Sequence, residues 1–316
     1  MTELTLTVAG KRALTDRIAE FTLTPAAGPL PGWDPGAHIR VALPQGGDRA
    51  YSLVSFAPVP AAPDHYRIAV LLEENSTGGS AHMHALAEGD SVTIAPPKCD
   101  FPVNADAPAL LLAGGIGITP MISMAAALKA AGTPFRLHFA ARTAAAMAYA
   151  EDLTQLCGDA LALHLDDIAG GPVDVTALVR TLGTDTHLYI CGPRPMIDAA
   201  RAAAEAAGIP PARVHVELFD NAAATDGDTA FEVELASTGE VFTIPPGRSI
   251  IEVLEEAGHD LMYDCQRGDC GICQTDVLDG TPDHRDVVLT EAERAAGKVM
   301  QICVSRAKSA RLKLDL

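Results

Sequence analysis

The sequence predicts a three-domain protein: an antiparallel β-barrel over residues 1–103, a parallel-sheet α/β domain over 104–222 and, past a linker at 223–228, an α+β domain over 229–316. Three observations carry this reading. The N-terminal third breaks into short strand-like runs punctuated by Gly and Pro. The middle alternates strand-like and helix-like stretches, the texture of a parallel sheet. The C-terminal part holds Cys265, Cys270, Cys273 and Cys303, spaced C-x4-C-x2-C and then, after 29 intervening residues, C.

In the first domain, strands are expected at 4–8, 18–23, 38–43, 51–55, 66–72 and 91–95, a spacing that suits a small antiparallel barrel. In the second, 109–113, 135–140, 187–191 and 214–218 read as strands. Helices are expected at 121–131, closed by Gly132, and at 195–207, closed by Gly208. That is a parallel unit of about half Rossmann size. Residues 108–128 carry no charge and are long enough to raise the question of a membrane helix. Gly114-Gly115-Ile116-Gly117-Ile118-Thr119-Pro120 interrupts them, which suits a buried strand, a turn and a helix instead. In the third part, 221–228 (NAAATDGD) is small and polar, a linker composition. A hairpin is expected at 231–235 and 240–244, and a helix at 249–257.

Composition narrows the function classes. The chain of 316 residues suits two or three domains of ordinary size. With 48% hydrophobic and 20% charged residues it can build proper cores. A net charge of −18 and a pI near 4.8 argue against nucleic-acid binding; the acidity suits a basic or polar protein partner, or serves solubility alone. The N-terminus, MTELTLTVAGKRAL, alternates like a strand and lacks the apolar core of a signal peptide, so a cytoplasmic protein without a membrane partner is expected. Seven cysteines, an odd number with four assigned to iron, suit a reducing compartment.

The cysteine spacing is the plant-type ligand pattern for a 2Fe-2S cluster. A loop wrapping such a cluster must bend tightly and aim N–H groups at sulfur, and Gly268 and Gly271 permit the positive φ this needs. A zinc knot also uses four thiolates but usually presents two C-x2-C pairs. Here three candidate ligands share one loop and Cys303 stands in an apolar run, 300–304. A 2Fe-2S centre carries single electrons, so the rest of the chain should supply them.

Two further constellations fit that need. Arg49-Ala50-Tyr51-Ser52 is expected on a strand, with Arg49 and Tyr51 on one face and Ser52 on the other. Gly78-Gly79-Ser80 precedes a helix-like stretch at 81–87, with Ser80 as its expected cap and free N–H groups for a phosphate. A cation, a phosphate cradle, an aromatic face and a hydroxyl are what a flavin mononucleotide asks for. The 114–120 turn is not G-x-G-x-x-G, but glycines at a helix N-terminus would let a pyrophosphate approach; the alternative is a packing turn. Cys191-Gly192-Pro193 ends a later strand, at the edge where ligands bind in such sheets. The histidines, among them His38, His65, His82 and His84, show no metal spacing and are read as structural or solvated.

On these residues the chain resembles the phthalate dioxygenase reductase family, including vanillate demethylase reductases, over essentially its whole length. The resemblance rests on Arg49-Ala50-Tyr51-Ser52, Gly78-Gly79-Ser80, Gly114 to Pro120, Cys191-Gly192-Pro193, Glu217-Leu218-Phe219 and the four cysteines. It implies a flavin barrel, an NAD-binding domain and a β-grasp ferredoxin domain. It implies FMN, with Arg49 and Ser80 on the phosphate, Tyr51 stacked on the isoalloxazine and Ser52 near N5. It places Phe219 over the nicotinamide side of the flavin, Thr119 and Cys191 beside the nicotinamide, and Arg142 and Asp166 at the adenosine half. Ala50, Val70, Gly115, Ile116, Gly117 and Met196 complete the expected cofactor-binding set, and Ser52, Thr119 and Cys191 are the residues expected at the reacting atoms. One segment departs from the family pattern: Lys98 and Cys99 stand where Arg and Asn are common.

The implied activity is reduction of FMN by NADH and passage of single electrons through the cluster to a terminal oxygenase, of Rieske type and acting on aromatic compounds. A cytochrome P450 acceptor and a non-catalytic redox-sensing subunit are the alternatives. The electron-transfer subunit of dihydroorotate dehydrogenase also joins a flavin barrel to a cluster, but its last cysteine lies much nearer the first three. NADH is expected over NADPH because 140–143 holds a single Arg, and a 2′-phosphate usually recruits more positive charge.

Overall fold

Six strands build the first sheet: β1 (Leu4–Ala13), β2 (Ile18–Pro25), β3 (His38–Ala42), β4 (Asp48–Ser52), β5 (Tyr66–Leu71) and β6 (Ser91–Ile94). They are antiparallel in the order β4-β3-β6-β1-β2-β5. A bridge between Leu53 and Ile68 joins the two outer strands, so the sheet curls on itself. β1 outruns the expected 4–8 because a bulge between Val8 and Gly10 lets Leu4–Thr7 pair with β6 while the strand from Leu6 to Ala13 pairs with β2. β4 lies at 48–52, three residues before the expected 51–55. Its register is set by β3, where His38 faces Ser52 and Val41 faces Arg49. A short helix, α1 (Gly79–Ala85), follows β5, and Phe21, Tyr66, Met83 and Ile94 fill the interior.

The computed structural model describes residues 3–74, 76, 78–219 and 227–316, in two units, Met1–Glu217 and Leu218–Leu316. The first unit also contains a parallel sheet of β7 (Ala109–Gly114), β8 (Phe135–Ala141), β9 (Leu161–Leu165), β10 (His187–Cys191) and β11 (Val214–Glu217) in the order β11-β10-β7-β8-β9. Its helices are α2 (Ile118–Ala131), α3 (Ala150–Cys157), α4 (Asp166–Ala169), α5 (Val175–Arg180) and α6 (Arg194–Ala206). The uncharged run at 108–128 is β7, a 3-10 turn at Gly115–Gly117 and α2, which is buried along most of its length. Among the described residues no helix is long and apolar enough to cross a membrane. One apolar core joins α2 and the parallel sheet to Ile18, Val54, Ala69 and Phe101 of the barrel.

The second unit is a mixed sheet of β12 (Phe231–Leu235), β13 (Val241–Ile244), β14 (Gln274–Asp279), β16 (Val299–Gln301) and β18 (Arg311–Leu314), ordered β13-β12-β18-β14-β16, with a small pair, β15 (Pro282–Asp283) and β17 (Arg306–Ala307). Helix α7 (Ile250–Glu256) starts at a capping box of Ser249 and Glu252, and α8 (Glu291–Ala296) at one of Thr290 and Glu293. Ile250 and Leu254 of α7 bury against Val233, Ile244 and Leu312 of the sheet. This is the β-grasp arrangement. Of the expected linker at 223–228, residues 223–226 lie outside the described residues. Asp228, the last residue of that expected linker, is tied to the second unit. Its carboxylate accepts two bonds from Arg285, at 3.0 and 2.6 Å, and pairs with the nearly buried Arg306 at 3.6 Å.

Candidate functional site

The cysteine loop lies between α7 and β14, with Gly268 at φ 84° and Gly271 at φ 78°. A Cβ at Gly268 would stand 2.6 Å from Val304 Cγ2, and one at Gly271 would stand 3.2 Å from Val288 Cγ1. Both turns therefore need glycine for conformation, and Gly268 needs it for space as well. The loop thiols and that of Cys303, which follows β16, come together: Cys265 with Cys270 and Cys303, and Cys303 with Cys273. Those hydrogen bonds hold the Cys265 thiol below its usual range and push that of Cys303 up. The four thiols run as a series of contacts, which fits a binuclear cluster sharing four thiolates between two irons. The Arg267 N–H donates to Cys265 Sγ at 3.3 Å, the kind of contact that supports cluster sulfur. Asp269 is buried, which pushes its carboxyl up to about 7, and it accepts the Leu218 N–H at 3.1 Å. Phe219, next in the chain, is 39% exposed and belongs to this second unit.

In the barrel, β4 presents Arg49 and Ala50 to solvent, half-buries Tyr51 and buries Ser52. Burial pushes the Tyr51 phenol up to about 12, against the pull of Arg49, so it stays neutral. Ser52 Oγ is buried and has no hydrogen-bond partner among the described residues, so a ligand's polar atom would satisfy it. Helix α1 reaches this strand through Gly79, where a Cβ would stand 2.5 Å from Arg49 Cγ. Ser80 is not the cap expected for this helix. Gly78, at φ 106°, takes the N-cap position, and the Ser80 hydroxyl inside the first turn accepts from Glu73 N–H at 3.1 Å and bonds Ser76 Oγ at 3.0 Å. Val70 is buried on β5, and its carbonyl accepts from His84 Nε2 at 2.9 Å. The residues thus fit a flavin phosphate and ring edge on an orphaned hydroxyl, a cation and a glycine cradle.

Strand order in the parallel sheet reverses between β7 and β10, so the crevice at their carboxyl ends is where such sheets bind ligands. The two predicted turns meet there. A Cβ at Gly117 would stand 2.2 Å from Cys191 O; one at Gly114, 2.6 Å from Pro193 Cδ; one at Gly192, 3.0 Å from both Gly114 N and Met196 Sδ. For Gly114 and Gly117 the sequence leaves a pyrophosphate site and a packing turn open, and for Gly192 a ligand-binding strand edge; all three have a packing requirement. Gly115, at φ 55°, has open space where its Cβ would be. Thr119 is buried at the start of α2, its hydroxyl donating to Ile116 O at 3.0 Å, and Pro120 follows it. Cys191 is buried at the end of β10. Arg142 and Asp166 stand just past the ends of neighbouring β8 and β9, where Asp167 N–H donates to Arg142 O at 3.1 Å. Cys99, left open by the sequence, is a half-buried thiol facing Pro35 O at 3.7 Å, and burial pushes it up to about 11; a thiol so protonated is unreactive. Lys98 pairs with Asp100 at 3.1 Å.

Comparison with known proteins bears on the same regions. Residues 233–308 match a 2Fe-2S iron-sulfur cluster binding domain, and residues 111–202 match an oxidoreductase NAD-binding domain. The phenoxybenzoate dioxygenase subunit beta of Ectopseudomonas oleovorans is 43% identical over 306 residues, 95% of this chain and 93% of that one. The crystal structure of phthalate dioxygenase reductase, described as a modular structure for electron transfer from pyridine nucleotides to 2Fe-2S, aligns with TM-score 0.72 and 37% identity over 99% of this chain and 98% of its own. An intact type IV self-sufficient cytochrome P450 monooxygenase aligns with TM-score 0.72 and 35% identity over 99% of this chain, which spans only 41% of that protein.

Proposed function

Because the chain belongs to the phthalate dioxygenase reductase and vanillate O-demethylase oxidoreductase family of NAD(P)H-dependent flavin and 2Fe-2S oxidoreductases, which includes reductase components of oxygenase and demethylase systems, we propose that it takes hydride from NADH onto FMN and delivers single electrons to a Rieske-type terminal oxygenase acting on an aromatic compound. The observation that supports this most is a three-cysteine loop joined by Cys303, in the same chain as a glycine-cradled nucleotide sheet and an orphaned hydroxyl on the barrel strand. When bound, flavin accepts two electrons together and releases them singly, which matches NADH to a one-electron cluster.

The chain's own work is placement. Arg49, laid on Gly79 at the start of α1, offers charge to a terminal phosphate, which favours a mononucleotide. Tyr51, neutral and half-buried, offers a face for the ring; Ser52 Oγ donates to its polar edge. Thr119 and Cys191, from the starts and ends of adjoining elements, flank the nicotinamide, while Arg142 and Asp166 take the adenosine half. Cys265, Cys270, Cys273 and Cys303 hold the cluster. Hydride transfer needs contact geometry rather than a general acid or base, and none is assigned.

The test is direct. Flavin released from the purified protein should be FMN, and kcat/KM should favour NADH over NADPH by at least about tenfold, the scale of one charge-assisted contact. Extraction of FAD, or equal use of NADPH, would overturn those two assignments separately. A P450 acceptor is the second reading, favoured by the alignment of the whole chain with part of a self-sufficient P450. Electron delivery to a purified P450 but to no Rieske-type oxygenase would select it.

A further inference from the structure

Tyr149 combines two features that nothing above uses: a backbone in the left-handed region, at φ 63°, and a hydroxyl buried 129 residues from its partner. It is one of two non-glycine residues with positive φ among the described residues. A bulky side chain is disfavoured in that conformation, and it persists only where the surroundings over-determine it. Here they do. The Tyr149 hydroxyl donates to Glu20 Oε2 at 2.7 Å, and its ring meets Phe56 edge-on at 5.3 Å and lies under the Arg12 guanidinium at 6.0 Å.

Glu20 is itself a built anchor. It sits on β2, nearly buried, with Arg12 directly opposite on β1 donating to it at 3.2 and 3.3 Å, and Arg67 of β5 at 3.6 Å. Three barrel strands therefore fix one carboxylate, and the α/β domain supplies the hydroxyl that covers it. Burial and the neighbouring carboxylate push the Tyr149 phenol far up, so it remains a donor at any working pH.

The segment this clasp ends is the one that begins at Arg142. Residues 143–149 leave β8, make an exposed 3-10 turn at Ala144–Ala146, then bury Met147, Ala148 and Tyr149 before α3. The segment from Arg142 to Tyr149 is thus anchored at its start by β8 and the Asp167 contact, and at its end by the Tyr149 bond to Glu20.

We propose that Tyr149 is a positioning residue: through Glu20 it latches the loop carrying Arg142 onto the flavin barrel and keeps that loop in its nucleotide-binding form. The inference rests on the reading of Arg142 as a nucleotide contact. A loop released at one end would occupy the binding form only part of the time, and apparent affinity falls by that fraction.

The experiment is calorimetric titration of the flavin- and cluster-loaded protein with NAD+, and single-turnover flavin reduction by NADH, for Tyr149→Phe, Arg142→Ala and the double variant. Tyr149→Phe keeps the ring and deletes only the hydroxyl. It should weaken NAD+ binding about tenfold, the scale of one hydrogen bond to a charged group, while the flavin-reduction rate at saturating NADH holds. In the double variant the two losses should not add, because Tyr149 acts through Arg142. Unchanged affinity with only a lower melting temperature makes Tyr149 a structural brace and overturns the proposal; so do additive losses. If Arg142→Ala alone leaves affinity unchanged, the reading of Arg142 fails, whatever Tyr149→Phe does. Tyr149→Asn, which tolerates the left-handed backbone, should reproduce the Tyr149→Phe loss and separates the hydroxyl from backbone strain.

Discussion

Arg49 lies against the backbone of Gly79, so closely that a Cβ on Gly79 would stand 2.5 Å from Arg49 Cγ and 3.2 Å from its Nε. The two residues are 30 positions apart, yet neither can be placed without the other. Gly79→Ala should therefore push the guanidinium aside with little harm to the helix, since Ala is a better helix former. FMN affinity should fall by about tenfold or more, the loss of one charge-assisted contact, while cluster absorbance stays intact. Flavin-to-protein ratio after gel filtration reads this; a full complement of flavin would remove Arg49 from the phosphate site.

Ser52 gives a prediction of opposite sign for stability and activity. Its hydroxyl is buried without a partner among the described residues, so Ser52→Ala relieves an unsatisfied group in the flavin-free protein. The melting temperature of that form should stay level or rise, while flavin reduction by NADH slows by roughly tenfold, the lower end of what a lost polar contact at a reacting centre costs. A marked drop in melting temperature would mean the hydroxyl has a structural duty instead.

Cys303→Ser should separate the two redox centres. Cluster absorbance and cytochrome c reduction should disappear, whereas NADH should still bleach the flavin, because Cys303 belongs to the second unit and the residues proposed to hold flavin and nicotinamide, Phe219 excepted, lie in the first. Flavin reduction lost together with the cluster would count against that division.

Two stacked histidine pairs set a pH limit on the first unit. His138 Nδ1 lies 2.9 Å from His164 Nε2, and His187 Nδ1 lies 2.8 Å from His215 Nε2. Burial, and then the neighbouring histidine, push His138 and His215 down to about 4. A folded value below the unfolded 6.5 means the folded state resists protonation, so its stability is full above about 6.5 and falls as pH drops from 6.5 toward 4. Melting temperatures should decline across that window, and His215→Gln should flatten the decline. A flat profile in the parent protein would contradict it.

Legibility followed sequence distance. The cluster loop was readable because three cysteines and two glycines share nine residues, and the barrel strands because apolar runs end in Gly or Pro. The placement of β4 was missed by three residues, since its register is dictated by β3 rather than by its own alternation. Ser80 looked like a helix cap because Ser is a favoured cap, but the left-handed Gly78 takes that position and the hydroxyl turns to Ser76 and Glu73. Helices α3 to α5 left no clear period in a stretch of four to eight residues each. The packing duty of Gly114, Gly117 and Gly192, and the clasp of Tyr149 on Glu20, depend on residues far apart in the chain; nothing local announces them.

The central claim is an electron path from a reduced nicotinamide through flavin to a 2Fe-2S cluster, and a visible absorption spectrum before and after anaerobic NADH tests it most directly. Flavin bands superposed on red-brown cluster absorption, both bleaching when NADH is added, is the expected result. A colourless protein with zinc on its cysteines, or a coloured one that NADH leaves unchanged, would contradict it.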